Sequence, residues 1–120
     1  MFLSRWTLKQ GLVVAREVEI IAALHSWHVA LGGGVMLNGT SEHDLDLIFY
    51  PDKAHPSIDL KKRKEILCQF LTNMGWEIYR SSAEMRTFWV KRYGPDHDQK
   101  CVEVWKDPKG RRVDFIWMSV

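Results

Sequence analysis

The sequence predicts an α/β (α+β) fold in which a mixed sheet of four or five strands carries two main helices on one face. Two long stretches place apolar residues three and four positions apart, which is the helical period. Several short segments alternate apolar and polar residues, as half-buried strands do. A chain of 120 residues is long enough for one hydrophobic core but too short for two. We therefore expect a single domain that spans residues 1–120.

Composition and charge indicate an ordinary globular protein. Apolar residues make up 46% and charged residues 27%, and a net charge of +2 does not indicate a nucleic-acid partner, although it does not exclude one. Cys68 and Cys101 match no metal-ligand spacing, which favours free thiols in a reduced compartment. No apolar run approaches the ~18–20 residues of a membrane helix, and the N-terminus resembles no signal peptide. We expect a cytoplasmic protein without a membrane partner.

The first long helix is predicted between Thr7, a suitable N-cap, and the pair Trp27-His28, which ends it. Gly11 should weaken its first turn, because glycine disfavours a helix interior. The apolar stripe of this helix consists of Leu12, Ala15, Val18, Ile21, Ala22 and His25. A brief strand over residues 29–31 follows and leads into three consecutive glycines.

These glycines, Gly32, Gly33 and Gly34, predict a turn, and residues 38–41 predict a second turn or loop. A strand then runs from Asp44 to Tyr50. Its side chains alternate between two faces: Asp44, Asp46, Ile48 and Tyr50 on one, and Leu45, Leu47 and Phe49 on the other. We expect the second face to meet the helices and the first to line a cleft.

The second long helix is predicted over residues 58–74, with Gly75 as its cap. Its mainly apolar stripe consists of Leu60, Lys64, Leu67, Phe70, Leu71 and Met74. The basic run at residues 61–64 is more typical of a solvated helix face than of a nucleic-acid site.

Three further segments are predicted as strands: residues 76–79, residues 88–93, and a hairpin that ends the chain. The hairpin turn, Asp107-Pro108-Lys109-Gly110, suits a type I turn followed by a glycine bulge. That bulge leaves open whether Asp114 pairs with Val104 or with Glu103. The polar loop at residues 94–99 contains a histidine and two aspartates, but its composition is more typical of a turn than of a metal site.

Three carboxylates are the candidates for chemistry. Asp44 and Asp46 lie at i and i+2 of a strand, so they point to one face and can share divalent cations. Asp114 lies in an otherwise apolar strand, where an ionised carboxylate is costly unless it is paired or bound to a cation. It is either a third member of the same site or an edge-strand residue paired with Arg112 or Lys91.

Two short blocks resemble the nucleotidyltransferase superfamily that includes DNA polymerase beta. Leu31-Gly32-Gly33, followed at a distance by Asp44-Leu45-Asp46-Leu47, is similar to its signature. TSEHDLDLIFYP and DPKGRRVDF look like the segments of the lincosamide and aminoglycoside nucleotidyltransferases that carry the paired and the third carboxylates. The resemblance covers residues 20–118 in outline and implies a single minimal nucleotidyltransferase domain.

The resemblance assigns roles to individual residues. Those implied as catalytic and as ligands of Mg²⁺ (or Mn²⁺) are Asp44, Asp46 and Asp114. Those implied to hold the triphosphate of an NTP substrate are Gly32, Gly33, Gly34 and Ser41. His43 would touch a phosphate or orient Asp44. No motif of the family identifies Lys53, Arg86 or Lys91, which are candidates for phosphate contacts by charge alone, and the six tryptophans are expected in the core.

The implied activity is transfer of a nucleoside monophosphate, most often AMP, from NTP to a hydroxyl of a small antibiotic-like molecule, a protein or an RNA. A homodimer that completes the cleft belongs to the same expectation. The alternative is a catalytically silent nucleotide-binding or interaction module, and a glycosyltransferase is disfavoured because such domains are much longer. The chain departs from the family pattern at Gly34 and at Phe115-Ile116, where antibiotic-modifying relatives commonly carry His-Pro.

Overall fold

The computed structural model describes residues 5–41, 44–52, 59–95 and 101–118, in which helices and strands alternate along the chain. The strands are β1 (Trp6–Thr7), β2 (Trp27–Gly32), β3 (Thr40–Ser41), β4 (Leu45–Pro51), β5 (Glu77–Arg80), β6 (Val102–Lys106) and β7 (Arg112–Trp117). The helices are α1 (Leu8–Leu24), α2 (Gly33–Asn38), α3 (Leu60–Asn73) and α4 (Ser82–Tyr93). The predicted α/β class is confirmed.

The main sheet has five strands in the order β2-β4-β7-β6-β5. β4 and β7 run parallel, and the other neighbouring pairs run antiparallel, so the sheet is mixed as predicted. β1 and β3 form a separate two-stranded sheet that the sequence analysis did not predict. β7 lies between β4 and β6, so the alternative in which Asp114 lies on an edge strand is excluded.

The core lies between one face of the sheet and the two long helices. The leucine-bearing face of β4 is fully buried, together with Val113, Phe115 and Trp117 beside it on β7. α1 contributes Val14, Val18 and Ala22 to the same cluster, and α3 contributes Leu67 and Leu71. Burying each large apolar side chain stabilises the fold by about 1.5–3 kcal/mol. The predicted packing of two helices on this face is confirmed.

Helix α1 begins as predicted and ends earlier. Thr7 caps it in a capping box, in which its hydroxyl accepts from the Gln10 amide and the Gln10 side chain accepts from the Thr7 amide. The helix ends at Leu24, and Trp27 starts β2 instead of ending the helix. Gly11 has a packing role, because a Cβ there would lie 2.8 Å from Leu45 Cδ1. It lets α1 approach β4 closely.

Two elements differ in type from their predictions. The segment predicted as a glycine turn continues as the short helix α2, which ends at Gly39 in the left-handed conformation. Residues 88–93, predicted as a strand, belong to α4. Ser81 and Glu84 form a capping box at the start of this helix. The aromatic run inside α4 resembles a strand, but the Ser-x-x-Glu spacing is the helix signal that decides the outcome.

Helix α3 confirms the second long helix within the described range, and its basic run is solvated only in part, because Lys61 and Lys62 are exposed whereas the next two residues are not. Arg63 is buried and donates from Nη1 to the carbonyl oxygen of Ser26 at 3.1 Å. Lys64 forms an ion pair with Glu103 at 3.1 Å. Leu67 and Leu71 are buried as predicted. Two members of the predicted stripe, Phe70 and Met74, are exposed instead.

The hairpin of β6 and β7 is confirmed, and its register is now defined. The Gly110 amide donates to the Asp107 carbonyl at 2.9 Å, and Gly110 has a φ of +82°, as the predicted glycine bulge requires. Val104, not Glu103, pairs with Asp114.

Other predictions have mixed outcomes. Five of the tryptophans, Trp6, Trp27, Trp76, Trp105 and Trp117, are buried, as expected for core residues. Four predicted features lie outside the described residues: His43, Lys53, residues 96–99 of the polar loop and the predicted start of the second helix. Within the described ranges, no helix is both long enough and apolar enough to cross a membrane.

Candidate functional site

The carboxylates singled out from the sequence meet on the face of the sheet opposite the core, at the junction of β4 and β7. Asp46 and Asp114 pair directly across the parallel strands, and Asp44 lies just before β4. One ligand oxygen from each of the three lies within 4.8 Å of the others. The structure therefore brings all three predicted residues together. We refer to Asp44, Asp46 and Asp114 as the acidic triad.

The spacing of the acidic triad fits a divalent cation. Metal–oxygen bonds of ~2.0–2.6 Å place oxygens on opposite sides of an ion about 4–5 Å apart, which matches the observed span. Carboxylates are also the ligands that hard cations such as Mg²⁺ and Mn²⁺ prefer. The three residues are thus able to hold such an ion with little movement of the backbone.

Gly33 lies against the triad in a way that only glycine permits. Its φ is +66°, and an added Cβ would lie 1.7 Å from Asp46 Oδ2. Gly32, which pairs with Asp46 across β2 and β4, is also confined, because its Cβ would lie 2.9 Å from Ile48 Cδ1. Gly34 has no comparable contact, since its nearest neighbours are 3.8 Å away. The predicted glycines therefore lie beside the carboxylates, and Gly33 is the one whose backbone touches them.

Ser41 anchors the first carboxylate. Its hydroxyl donates to Asp44 Oδ1 at 3.3 Å, and its oxygen accepts from the Asp44 amide at 3.4 Å. This is an ST-type turn that orients Asp44 towards the other two carboxylates. In the structure Ser41 thus serves to hold Asp44, and its contact with a phosphate stays a prediction.

The acidic triad lies in surroundings that disfavour negative charge. Burial, with the neighbouring Asp44 and Asp114 carboxylates, raises the pKa of Asp46 to about 7. Burial also raises the pKa of Asp114 to about 6, although Arg112 opposes this shift. Three like charges converge here, so a bound cation would offset a cost that the metal-free protein carries.

Arg112 is a cation that lies against the acidic triad. Its Nε donates to Asp114 Oδ1 at 2.8 Å and its Nη2 donates to Asp114 Oδ2 at 3.1 Å, a bidentate pair. The hydrogen bonds to Asp114 raise the pKa of Arg112 above its already high value. From the sequence, pairing with Arg112 was an alternative to a place for Asp114 in the site. The structure shows both together, because Arg112 and Asp114 lie two apart on one strand face.

The remaining predicted phosphate contacts divide between described and undescribed residues. His43 and Lys53 fall outside the described ranges. Arg86 lines a cavity with residues of α3 and β6 that lie on the core side of the sheet, away from the triad. Lys91 lies exposed near the end of α4. Neither of these two helix residues is part of the site as the structure describes it.

No known protein-family model matches this chain, and no curated protein matches it. What the site does is therefore argued from the arrangement of its residues.

Proposed function

We propose that this protein is a nucleotidyltransferase that moves a nucleoside monophosphate, AMP in the first instance, from an NTP to a hydroxyl acceptor. One observation carries the proposal: three carboxylates from two parallel strands converge beside the backbone of Gly33. This arrangement supports a cation next to a place where a phosphate can approach main-chain N–H groups.

The acidic triad would hold Mg²⁺ (or Mn²⁺). When bound, the ion would neutralise charge on the triphosphate oxygens. The protein holds the three carboxylates in position. Ser41 fixes Asp44, and the strand register fixes Asp46 beside Asp114, so the ligands are held by rigid elements before substrate arrives.

In this proposal Asp114 takes the proton of the acceptor hydroxyl. The acceptor oxygen forms a bond to the α-phosphorus, the bond from this phosphorus to its bridging oxygen breaks, and pyrophosphate leaves with that oxygen. The proton passes to the Asp114 carboxylate. A pKa raised to about 6 supports this role, because a base works best when its pKa is near the operating pH.

The glycine segment would hold the leaving phosphates. The close contact of Gly33 with Asp46 places its main chain next to any group bound at the carboxylates. A small antibiotic-like molecule, a protein or an RNA could supply the acceptor hydroxyl, and a cytoplasmic location, where Mg-ATP is abundant, belongs to the same proposal.

One observation favours a second candidate, a silent nucleotide-binding module. Arg112 occupies both oxygens of Asp114 in a bidentate pair, which would keep that carboxylate from accepting a proton unless the pair opens. In this candidate, Mg-ATP binds at the triad without turnover.

The experiment combines binding and turnover. Thermal unfolding with and without Mg-ATP should show a rise in Tm for the natural chain that Asp46→Asn removes. Pyrophosphate release should be measured over a panel of hydroxyl acceptors, with Glu77→Gln as a control, since Glu77 lies on edge strand β5 and its side chain is 72% exposed. Release that Asp46→Asn abolishes and Glu77→Gln spares supports the enzyme. Stabilisation without release supports the silent module, and equal stabilisation of Asp46→Asn contradicts both.

A further inference from the structure

A cavity of about 700 Å³ lies on the core side of the sheet, between α3, the start of α4 and strands β5 and β6. On this side Lys64 of α3 reaches Glu103 of β6, whereas every residue of the edge strand β5 is exposed. Ile78 of β5 points to this side and is 49% exposed, an unusual state for an isoleucine beside a core. A volume in this range suits a small-molecule site.

This cavity and the acidic triad lie on opposite faces of the sheet. Val104 pairs with Asp114, so its neighbours Glu103 and Trp105 point the other way, into the side on which the cavity lies. A ligand in the cavity would therefore not overlap with a nucleotide at the triad. The cavity is a separate site.

The floor of the cavity is a fixed polar network. Glu103 accepts from Trp105 Nε1 at 3.1 Å and from Trp117 Nε1 at 2.8 Å, and its second oxygen pairs with Lys64. Lys64 Nζ also approaches Cys101 Sγ at 3.6 Å. Because an ammonium group has three donors, Lys64 keeps capacity for one more acceptor, and that acceptor would lie in the cavity.

The rim adds positive charge. Lys61 of α3 and Arg86 of α4 both line the cavity, and neither forms an ion pair with another residue in the ranges that the structure describes. Two carboxylates line the cavity, Glu103 and Glu65. The charge of Glu103 is already balanced by Lys64, which leaves Glu65 alone. The lining residues therefore leave two cations against one carboxylate, a balance that favours an anion.

We propose that this cavity is a second ligand site, which binds a small aromatic anion. The flat apolar body would lie against Ile78 and the edge of Trp105. Its carboxylate, sulfonate or phosphate group would lie among Lys61, Lys64 and Arg86. The proposal is independent of the nucleotidyltransferase assignment, because none of these residues touches the acidic triad.

The test uses 8-anilinonaphthalene-1-sulfonate, an aromatic sulfonate that fluoresces when it binds, at neutral pH with the fully folded chain. The double variant Lys61→Glu/Arg86→Glu should weaken its binding about tenfold, because two charges that attract the sulfonate then repel it. The matched control, Lys62→Glu/Lys91→Glu, changes the same charge on the same two helices at positions that do not line the cavity. It should change the affinity less than about twofold.

A second readout does not depend on charge. Cys68 and Cys101 both line the cavity and are free, half-buried thiols. In a Cys68→Ser variant, the anilinonaphthalene sulfonate should slow alkylation of Cys101 by N-ethylmaleimide several-fold. Equal weakening by the two double variants, or alkylation unaffected by saturating dye, would overturn the proposal. Asp46→Asn should leave both readouts unchanged, so that failure of the nucleotidyltransferase proposal can be recognised separately.

Discussion

The protein buries carboxylates on both faces of its sheet, and the two groups are compensated very differently. Glu103, on the core side, accepts hydrogen bonds from two indole N–H groups and forms an ion pair with Lys64. The acidic triad, on the other side, brings three carboxylates together, and Arg112 pairs with one of them. Glu103 is satisfied by the fold itself, whereas the triad is left with excess negative charge among the described residues.

This difference distinguishes a carboxylate that the fold itself satisfies from a cluster that we propose to be functional. A buried carboxylate with all its partners in place is costly to disturb but requires nothing further. A cluster whose members have raised pKa values is held together at a cost, and that cost falls when a cation arrives. The convergence of the three carboxylates carries the proposal that the triad, not Glu103, is the functional site, and the raised pKa values of Asp46 and Asp114 support it.

The largest change in the free energy of unfolding is expected for Glu103, whose partners are all in place. Glu103→Leu removes the acceptor of two indoles and leaves the charge of Lys64 buried without its partner. The free energy of unfolding should therefore fall by about 3–5 kcal/mol. Urea denaturation followed by far-UV circular dichroism measures this. A loss below about 1 kcal/mol would show that Glu103 is not held as the structure indicates.

A smaller loss of stability is expected for a substitution of Gly33, which lies next to the triad. Gly33→Ala places a Cβ on Asp46 Oδ2 and forces alanine into a positive φ, so it should destabilise the protein by about 2–3 kcal/mol. Gly34→Ala is the matched control, because its nearest neighbours are 3.8 Å away. It should be close to neutral by the same denaturation experiment. Equal effects of the two alanines would contradict the close contact of Gly33 with Asp46.

A pH dependence should distinguish the triad from Glu103. Burial, with the neighbouring Asp44 and Asp114 carboxylates, raises the pKa of Asp46 from its ordinary value of 3.8 to about 7 in the fold, so its protonated form stabilises the folded state. That contribution is fully present below about pH 4 and is lost as the pH rises through about 7. In metal-free buffer, Asp46→Asn should therefore gain stability relative to the natural chain over this window, by about 2 kcal/mol after allowance for solvent screening. Denaturation of both proteins at pH 5 and pH 8 measures the gain. If the free energy of unfolding changes equally with pH in the two proteins, the prediction is contradicted.

The sequence predicted those features that depend on local pattern. The alternation in β4 was sufficient to place Leu45 and Leu47 in the core and Asp46 on the opposite face. The same alternation placed Asp44 and Asp46 on one face, whereas Asp114 was predicted as the third member of the triad only with the resemblance to the nucleotidyltransferase segments. These predictions succeed because a period of two places side chains on defined faces of a strand regardless of the rest of the fold.

Features that depend on tertiary packing were not predicted. Glu103 alternates with valines in β6 and would be placed on a solvated face by its pattern, yet β6 is covered on both sides. Arg63 and Lys64 belong to a basic run that looks solvated, but each finds a buried acceptor from a distant part of the chain. The register that sets Asp114 opposite Val104 depends on the bulge at Gly110, which the sequence left open.

Titration with Mn²⁺, followed by electron paramagnetic resonance at pH 8, tests the difference between the two buried sites most directly. The natural chain should bind the ion, and Asp46→Asn or Asp114→Asn should each weaken binding about tenfold or more, whereas Glu77→Gln should leave it unchanged. Binding by the natural chain should also weaken at pH 6, because Asp46 is then mostly protonated. Mn²⁺ binding that is equal in all four proteins, or that is absent from the natural chain, would contradict the assignment of the acidic triad as the functional site.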